Sequence, residues 1–442
     1  MASFQSLTIL LFFSLVTFSF AALDPNKLPK NTAIHFPIRK NDTSLQYYTT
    51  FEFGESRTII DALIDLGAES VWFDCRSYVS STYKRISCGS NRCQKAKGWY
   101  ECIGCNSTPR PGCSNNTCGV LAFNPNRLYF TAQELGEDTM RASSTDGRFV
   151  LRDYDAPKFQ FTCADSDIID GKPGDHTKGL VGLARTQLSL ASQISSSFNL
   201  APKFALCLPS SSENGLGDIY VGGGPYYMPP SPQDQSLSLI RTPIVVNPVS
   251  PPPIYSEGAP SNEYFISVQD IEISGKRVSF NSSLLSFDKN GFGGAKISTI
   301  APYTTLHASI YKRLVKDYVK AAALKKIKRV TSVAPFGACF DSRTVTTTAT
   351  GPGVPDIDIV LPGNAVLVKL KLSGSNLMVE VKKNVICLAI TIDGGAFQGT
   401  SIVLGGHQLE NRLLEFDLST SRLGFTPSLL LSNTSCSHFR LY

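Results

Sequence analysis

The stretch Ala62-Leu63-Ile64-Asp65-Leu66-Gly67-Ala68-Glu69-Ser70-Val71-Trp72-Phe73 places a carboxylate and a glycine between two apolar runs. Short apolar runs punctuated by turn residues read as strand, tight turn, strand. A turn Asp taken alone is ordinary, because its side chain bonds its own backbone. Here, however, Gly179-Leu180-Val181-Gly182-Leu183-Ala184 and Ile402-Val403-Leu404-Gly405-Gly406 each carry an apolar-apolar-Gly element, one in each half of the chain. One element repeated in both halves predicts a duplicated architecture about a pseudo-twofold axis.

The rest of the chain reads as mostly β. Runs rich in Val, Ile, Phe, Tyr and Thr, separated by Gly, Pro, Asn and Ser, predict strands at 47–53, 58–64, 70–74, 159–162, 219–221, 265–273 and 379–390. Helical periodicity is clearest over 308–328, where Ile310, Leu314, Tyr318, Ala322 and Ile327 recur with Lys and Arg between them, and a shorter candidate spans 189–198. Proline crowds residues 228–260, and a residue without an N–H cannot serve a central strand, so the boundary between two lobes, 22–235 and 236–442, falls there. With 442 residues, 42% apolar and 18% charged, the composition excludes disorder, collagen and coiled coil. A formal net charge of +6 is too mild to favour nucleic acid and leaves an acidic protein or a polyanionic matrix as the electrostatic partner.

Residues 1–21 read as a cleaved secretory signal: a mostly apolar run from Leu7 to Phe20 ends among small residues at Ser19 and Ala21, too short for a bilayer, which takes about 20 residues. The 12 cysteines would then meet an oxidising compartment and form six bridges. Cys75, Cys88, Cys93, Cys102, Cys105, Cys113, Cys118, Cys163 and Cys207 precede the proline-rich stretch, and Cys339, Cys387 and Cys436 follow it. Both counts are odd, so at least one bridge must join the halves. The Cys-rich insertion 88–118 has hardly an aliphatic side chain, and bridges must hold it in place of a core. Cys102-Ile103-Gly104-Cys105 has the spacing of a zinc knuckle, but without a nearby His it reads as disulfide sulfur. Sequons at Asn41, Asn106, Asn115, Asn281 and Asn433 fit a glycoprotein of the secretory route.

At Asp65-Leu66-Gly67, and again from Val403-Leu404-Gly405-Gly406-His407 through Glu415-Phe416-Asp417 to Arg422-Leu423-Gly424-Phe425, the sequence resembles the pepsin-like aspartic proteinases, whose first motif is Asp-Thr-Gly. The resemblance covers essentially the whole mature chain, and the 88–118 insertion resembles the nepenthesin-type plant branch. It implies a bilobal pepsin-like fold and a second Asp-Thr/Ser-Gly ahead of a Thr-Thr-Leu stretch and a helix. What stands there is Lys296-Ile297-Ser298-Thr299-Ile300-Ala301-Pro302-Tyr303-Thr304-Thr305-Leu306. Ser298 occupies the carboxylate position, and no Asp or Glu lies between Asp288 and Asp317. In such proteinases two carboxylates share one proton, so one serves as base on water and the other as acid. A hydroxyl does neither near neutral or acidic pH, and this catalysis is worth about 10²–10⁴-fold, so the expectation is a protein that is not an enzyme. Three departures agree: Leu66 replaces the polar residue that orients the dyad, Ile300 replaces a glycine, and Pro125 stands where the flap would carry Tyr-Gly between Phe123 and Gln133. The stretch from Ala22 to the first strand near Ile34 is also short for an inhibitory prosegment. Asp65 then reads as a relic whose turn amides favour its charged form.

Within that superfamily, Tyr78-Val79-Ser80-Ser81, Pro109-Arg110-Pro111-Gly112-Cys113, Ala334-Pro335-Phe336-Gly337-Ala338-Cys339-Phe340 and residues 401–409 resemble a plant apoplastic group. That group comprises xyloglucanase inhibitors, extracellular dermal glycoproteins, basic 7S globulins and wheat-type xylanase inhibitors. The resemblance implies lost proteolysis and inhibition of microbial or plant glycoside hydrolases by loop side chains that enter a cleft lined by two carboxylates. The partner-binding candidates are Lys328 and Arg329 after the long helix, Gln398 and Gly399 in the 393–400 turn, and His407. Relatives carry an Arg before Thr-Ser-Ile where this chain has Gly399, which points to a changed or lost target. The rival readings are a residual aspartic endopeptidase and a basic 7S globulin-like storage or ligand-binding protein. No cofactor, metal, nucleic acid or membrane is implied. The basic run from Lys312 to Arg329 reads as a solvated helix face.

Overall fold

In a computed structural model the chain is described at residues 28–29, 32–96, 102–164, 178–213, 215–250, 258–393 and 399–438. The signal segment 1–21 and Gln398 lie outside these. The protein is mostly β, and its strands are organised around a seam. Lys203–Cys207 and Gly217–Val221 bury almost every side chain, as strands covered on both faces do. With Ala33–Lys40 they form one half of an antiparallel sheet, in the order 33–40, 217–221, 203–207, 413–417, 422–425, 240–245. Three strands come from each half of the sequence. Phe204 stacks on Phe416 at 4.7 Å across the junction. The disulfide Cys207–Cys436 is the bridge that joins the halves.

Each lobe repeats one motif above this seam. Thr58–Asp65 runs parallel to Gly179–Gly182, with Asp65 opposite Gly182. Ala295–Ile297 runs parallel to Ile402–Leu404, and Ser298 follows directly with its N–H on Leu404 O at 2.9 Å. The apolar-apolar-Gly elements are therefore the partners of the strands that end at Asp65 and Ser298. Gly182 and Gly405 are small because a Cβ there would stand 2.4 Å from backbone atoms of the neighbouring turn.

Three runs of sequence fold differently from expectation. The helix spans Ala308–Leu324 and stops short of Lys328. Its end is a Schellman turn: Lys326 takes a left-handed φ of 60°, its N–H bonds Ala323 O, and Ile327 N–H reaches back to Ala322 O at 3.0 Å. Ile327 is buried as the hydrophobic contact of that turn, which mimics one more helical period. The run 265–273 divides into Phe265–Ile266, paired with 244–245 and 295–296, and Asp270–Ile273, paired with 357–360 in another sheet. Likewise 379–390 folds as Met378–Lys382 and Val385–Leu388 about a turn with Asn384 at φ 62°, followed by Ile390–Ile392. The proline-rich stretch does contain a strand, Ile240–Val245. Pro243 is tolerated because its stretch of the strand pairs on one side alone, with Arg422.

Six disulfides form, and among the described residues no cysteine is free. Cys88–Cys102, Cys93–Cys118 and Cys105–Cys113 staple the insertion, so the two sulfurs of the knuckle-like spacing go to separate bridges. Cys75–Cys163 and Cys339–Cys387 secure one strand pair in each lobe. Six bridges are the pattern of an oxidising compartment. Among the described residues no helix is long and apolar enough to cross a membrane, and no cluster of His, Cys, Asp or Glu could hold a metal.

Candidate functional site

Asp65 and Ser298 lie at equivalent strand ends where the lobes meet, and both are buried. Asp65 Oδ1 accepts from Gly67 N at 2.7 Å, the turn amide expected for it. Its net electrostatics differ from the expectation. Burial dominates and pushes the carboxyl up to about 6, with Glu263 adding to the rise and the Gly67 amide and Lys296 opposing it. The protonated form is thus favoured over a wider range than for an ordinary Asp. Ser298 Oγ accepts from Ile300 N at 3.1 Å and Ala301 N at 3.2 Å, so the hydroxyl closes its own turn.

The lobes are coupled here by a residue the sequence reading passed over. Thr299 Oγ1 donates to Ile64 O at 2.7 Å and accepts from Leu66 N at 3.2 Å, reaching from one turn into the other. Leu66 has no hydroxyl with which to return the contact, so the coupling is one-sided. A Thr next to Ser298, at the place matching Leu66 next to Asp65, was the available signal.

Glu263 and Lys296 were also missed. A Cβ on Gly67 would stand 3.0 Å from Glu263 Oε1 and 3.3 Å from Asp65 Oδ1, so the two carboxylates face each other over that glycine. Glu263 does not act as a free partner for Asp65, because Lys296 Nζ holds its Oε1 at 2.8 Å in a largely buried ion pair. Lys296 is two residues before Ser298 on an extended strand and therefore shares its face, a relation legible in the sequence. Glu263 follows the proline-rich stretch and carries no local signal. It is positioned by neighbours that cross between the lobes: Arg185 donates to Ser261 O at 2.6 Å, and Tyr264 Oη donates to Leu183 O at 2.7 Å.

Beside the two turns, side chains of both lobes join in one apolar cluster. Ile300 packs with Tyr48, Leu63, Ala68, Trp72 and Ala122 of the first lobe. The hairpin of Thr117–Asn124 and Tyr129–Thr145 arches over this cluster, and its tip is fastened. Gln46 and Asn126 exchange two hydrogen bonds, of 2.7 and 3.0 Å, while Gln46 Nε2 also donates to Ile300 O at 3.1 Å. Trp72 Nε1 donates to Phe123 O at 3.1 Å beneath the hairpin.

The partner-binding candidates are scattered. Lys328 and Arg329 are exposed just past the C-terminal end of the long helix. Gly399 lies at the opposite end, where His307 N–H bonds Ser401 O and Asp393 N–H bonds Leu306 O. A 17-residue helix separates the two loops, about 25 Å of axis. His407 lies in neither loop. It stacks edge-on against Tyr303 and stands 3.5 Å from Glu410, whose other bonds come from Tyr47 and Lys40 of the first lobe. Burial works against the charge of Glu410, but His407 and Lys40 outweigh it and hold the carboxyl below its usual range. Asn106, Asn115, Asn281 and Asn433 are exposed, and Asn41 is half-buried with its Oδ1 capping Thr43 and Ser44 amides.

Two lobes about a shared sheet, each ending a strand at a paired turn across the interlobe groove, define a pepsin-like protein. Residues 47–223 match the family model described as xylanase inhibitor N-terminal, and residues 263–427 match xylanase inhibitor C-terminal. The chain belongs to this xylanase-inhibitor family of aspartic-proteinase-like proteins. It is 43% identical over 404 residues to a probable aspartic proteinase GIP2 of Nicotiana benthamiana, covering 91% of this chain and 90% of the relative. Among solved structures it is similar to edgp, with TM-score 0.88, 42% identity and coverage of 93% of this chain and 98% of that one. Basic 7S globulin from soybean matches with TM-score 0.75 at 28% identity, covering 93% and 99%.

Proposed function

We propose that this chain is a secreted, proteolytically inactive scaffold that inhibits a cell-wall-degrading glycoside hydrolase, a xyloglucan-specific endoglucanase or a xylanase. The observation that carries this reading is Ser298, whose hydroxyl is spent on two turn amides at the counterpart of Asp65. Peptide hydrolysis needs one carboxylate as base and one carboxylic acid as proton donor. Asp65 supplies one such group. Glu263, the other carboxylate nearby, is ion-paired to Lys296, and Ile300 is buried in an apolar cluster with first-lobe side chains. Membership of the xylanase-inhibitor family supports a glycoside hydrolase as the partner. An exposed cationic side chain such as Lys328 or Arg329, entering a cleft lined by two carboxylates, would neutralise them.

The test is to titrate the secreted glycoprotein into a panel of purified endoglucanases and xylanases. A stoichiometric loss of activity for at least one of them is expected. Undiminished activity across the panel contradicts the reading. The similarity to basic 7S globulin supports a second reading, a storage or ligand-binding protein, which that outcome would favour.

A further inference from the structure

The positive charge of this protein is concentrated on one element. Residues 308–329 hold eight Lys and Arg against a single carboxylate, Asp317, an excess larger than the +6 of the whole chain. Asp317 is committed to Arg313 of the same helix at 2.6 Å. The remainder of the molecule is therefore close to neutral, and its basicity is a local property of this face.

The helix Ala308–Leu324 buries Ile310, Leu314, Tyr318 and Ala322 against the strands 270–273 and 390–392. Lys312, Lys316 and Lys320 recur every fourth residue on the opposite side and are exposed. Successive members are about 6 Å apart along the axis, so they form a straight row. None of the three has a hydrogen bond or ion pair among the described residues. Beyond the helix Lys326, Lys328 and Arg329 are exposed as well and add to the local positive charge. Like charges at this spacing repel, a standing cost that a bound polyanion would relieve.

We propose that this row is a binding site for a linear acidic polysaccharide, a chain of uronate sugars. A polyuronate carries one carboxylate per sugar and can lie along a straight row of ammonium groups, releasing its condensed counterions. Single-stranded nucleic acid fits less well, because binding it calls for aromatic stacking platforms. The exposed Tyr and Phe side chains among the described residues, Tyr129, Phe130, Phe149 and Phe292, stand on other elements. A lipid surface fits less well because an interfacial helix needs an apolar face for the bilayer. The apolar face of this helix is already buried in the lobe.

The experiment measures binding of the intact glycoprotein to immobilised polygalacturonate over a range of salt. The Lys312→Gln/Lys316→Gln/Lys320→Gln variant is compared with Lys84→Gln/Lys158→Gln/Lys289→Gln, which removes the same charge at exposed sites elsewhere. Thermal unfolding of both variants establishes that they are folded. The helix variant should lose affinity by at least about tenfold at low salt, and its slope of log affinity against log salt should fall by about 2. The control should stay within about twofold of the parent, by the same reasoning that distant charges are screened. Equal loss in both variants, no loss in the helix variant, or tighter binding to phosphatidylglycerol vesicles or single-stranded DNA than to polygalacturonate would overturn the proposal. Inhibition of a glycoside hydrolase is read in a separate assay, so either result can fail alone.

Discussion

Asp65 illustrates how a single substitution elsewhere changes what a residue is for. With a second carboxylate opposite, its proton would be shared. Opposite a Ser whose hydroxyl already accepts two amides, it is a buried acid beside the ion-paired Glu263, with its carboxyl pushed up to about 6. Because the folded value lies above the ordinary 3.8 of an Asp carboxyl, the native state holds the proton more tightly than the unfolded chain does. The associated stability is fully present below about pH 4 and is lost as the pH rises through 6, about 3 kcal/mol in all. Asp65→Asn keeps an acceptor for Gly67 and does not titrate. Urea unfolding from pH 4 to 7 should show this variant gaining on the parent as the pH rises, whereas a constant difference would count against a buried Asp65 that holds its proton tightly. Thr299 carries the complementary prediction. Thr299→Val leaves Ile64 O and Leu66 N buried without a partner, and should lower stability by about 2–4 kcal/mol in guanidinium chloride. A loss under about 0.5 kcal/mol would mean that water or relaxation replaces the coupling.

At the scale of elements, the hairpin over the groove behaves as a fastened cover. Its tip is held through Asn126 to Gln46, and through Gln46 to Ile300 of the other lobe. Asn126→Ala removes both exchanged bonds, worth about 1–2 kcal/mol together, and amide hydrogen exchange at residues 124–129 should speed up about tenfold. Unchanged exchange would show that the tip is held by packing instead. The same elements mark where sequence reasoning succeeds and where it stops. Strands 47–53 and 58–65 were legible because their burial alternates or runs continuously with their apolar residues. The long helix was legible from its period, but its end was not, because a buried Ile327 serves a capping turn as well as it would another helical turn. Breaks in 265–273 and 379–390 were invisible, since a strand that changes sheets keeps its apolar character while its partners change. In the site, Ser298, Leu66 and Ile300 could be read because their neighbours fix the register. Glu263 could not, as it reaches Asp65 only through the tertiary path of Arg185 and Tyr264.

For the molecule as a whole, the seam and the contacts between the lobes point in one direction. Three strands from each half, a stacked Phe204–Phe416 pair and the Cys207–Cys436 bridge hold the lobes in a fixed relation. The Glu410 cluster adds Lys40 and Tyr47 from the first lobe to His407 from the second. Such ties between the lobes suit a surface that presents loops to a partner with little ordering cost. The two candidate loops sit at opposite ends of one helix, so a single glycoside hydrolase cleft would engage one of them at a time.

Peptide hydrolysis in that groove would need a working acid and base pair. The most direct measurement is cleavage of an unfolded protein substrate by the purified protein between pH 3 and 6, with and without pepstatin, for the parent and for Asp65→Asn. The expected result is the same background for both proteins at every pH, untouched by pepstatin. Cleavage that pepstatin blocks and Asp65→Asn abolishes would contradict the account, and would make the Asp65 and Glu263 carboxylates a functioning pair.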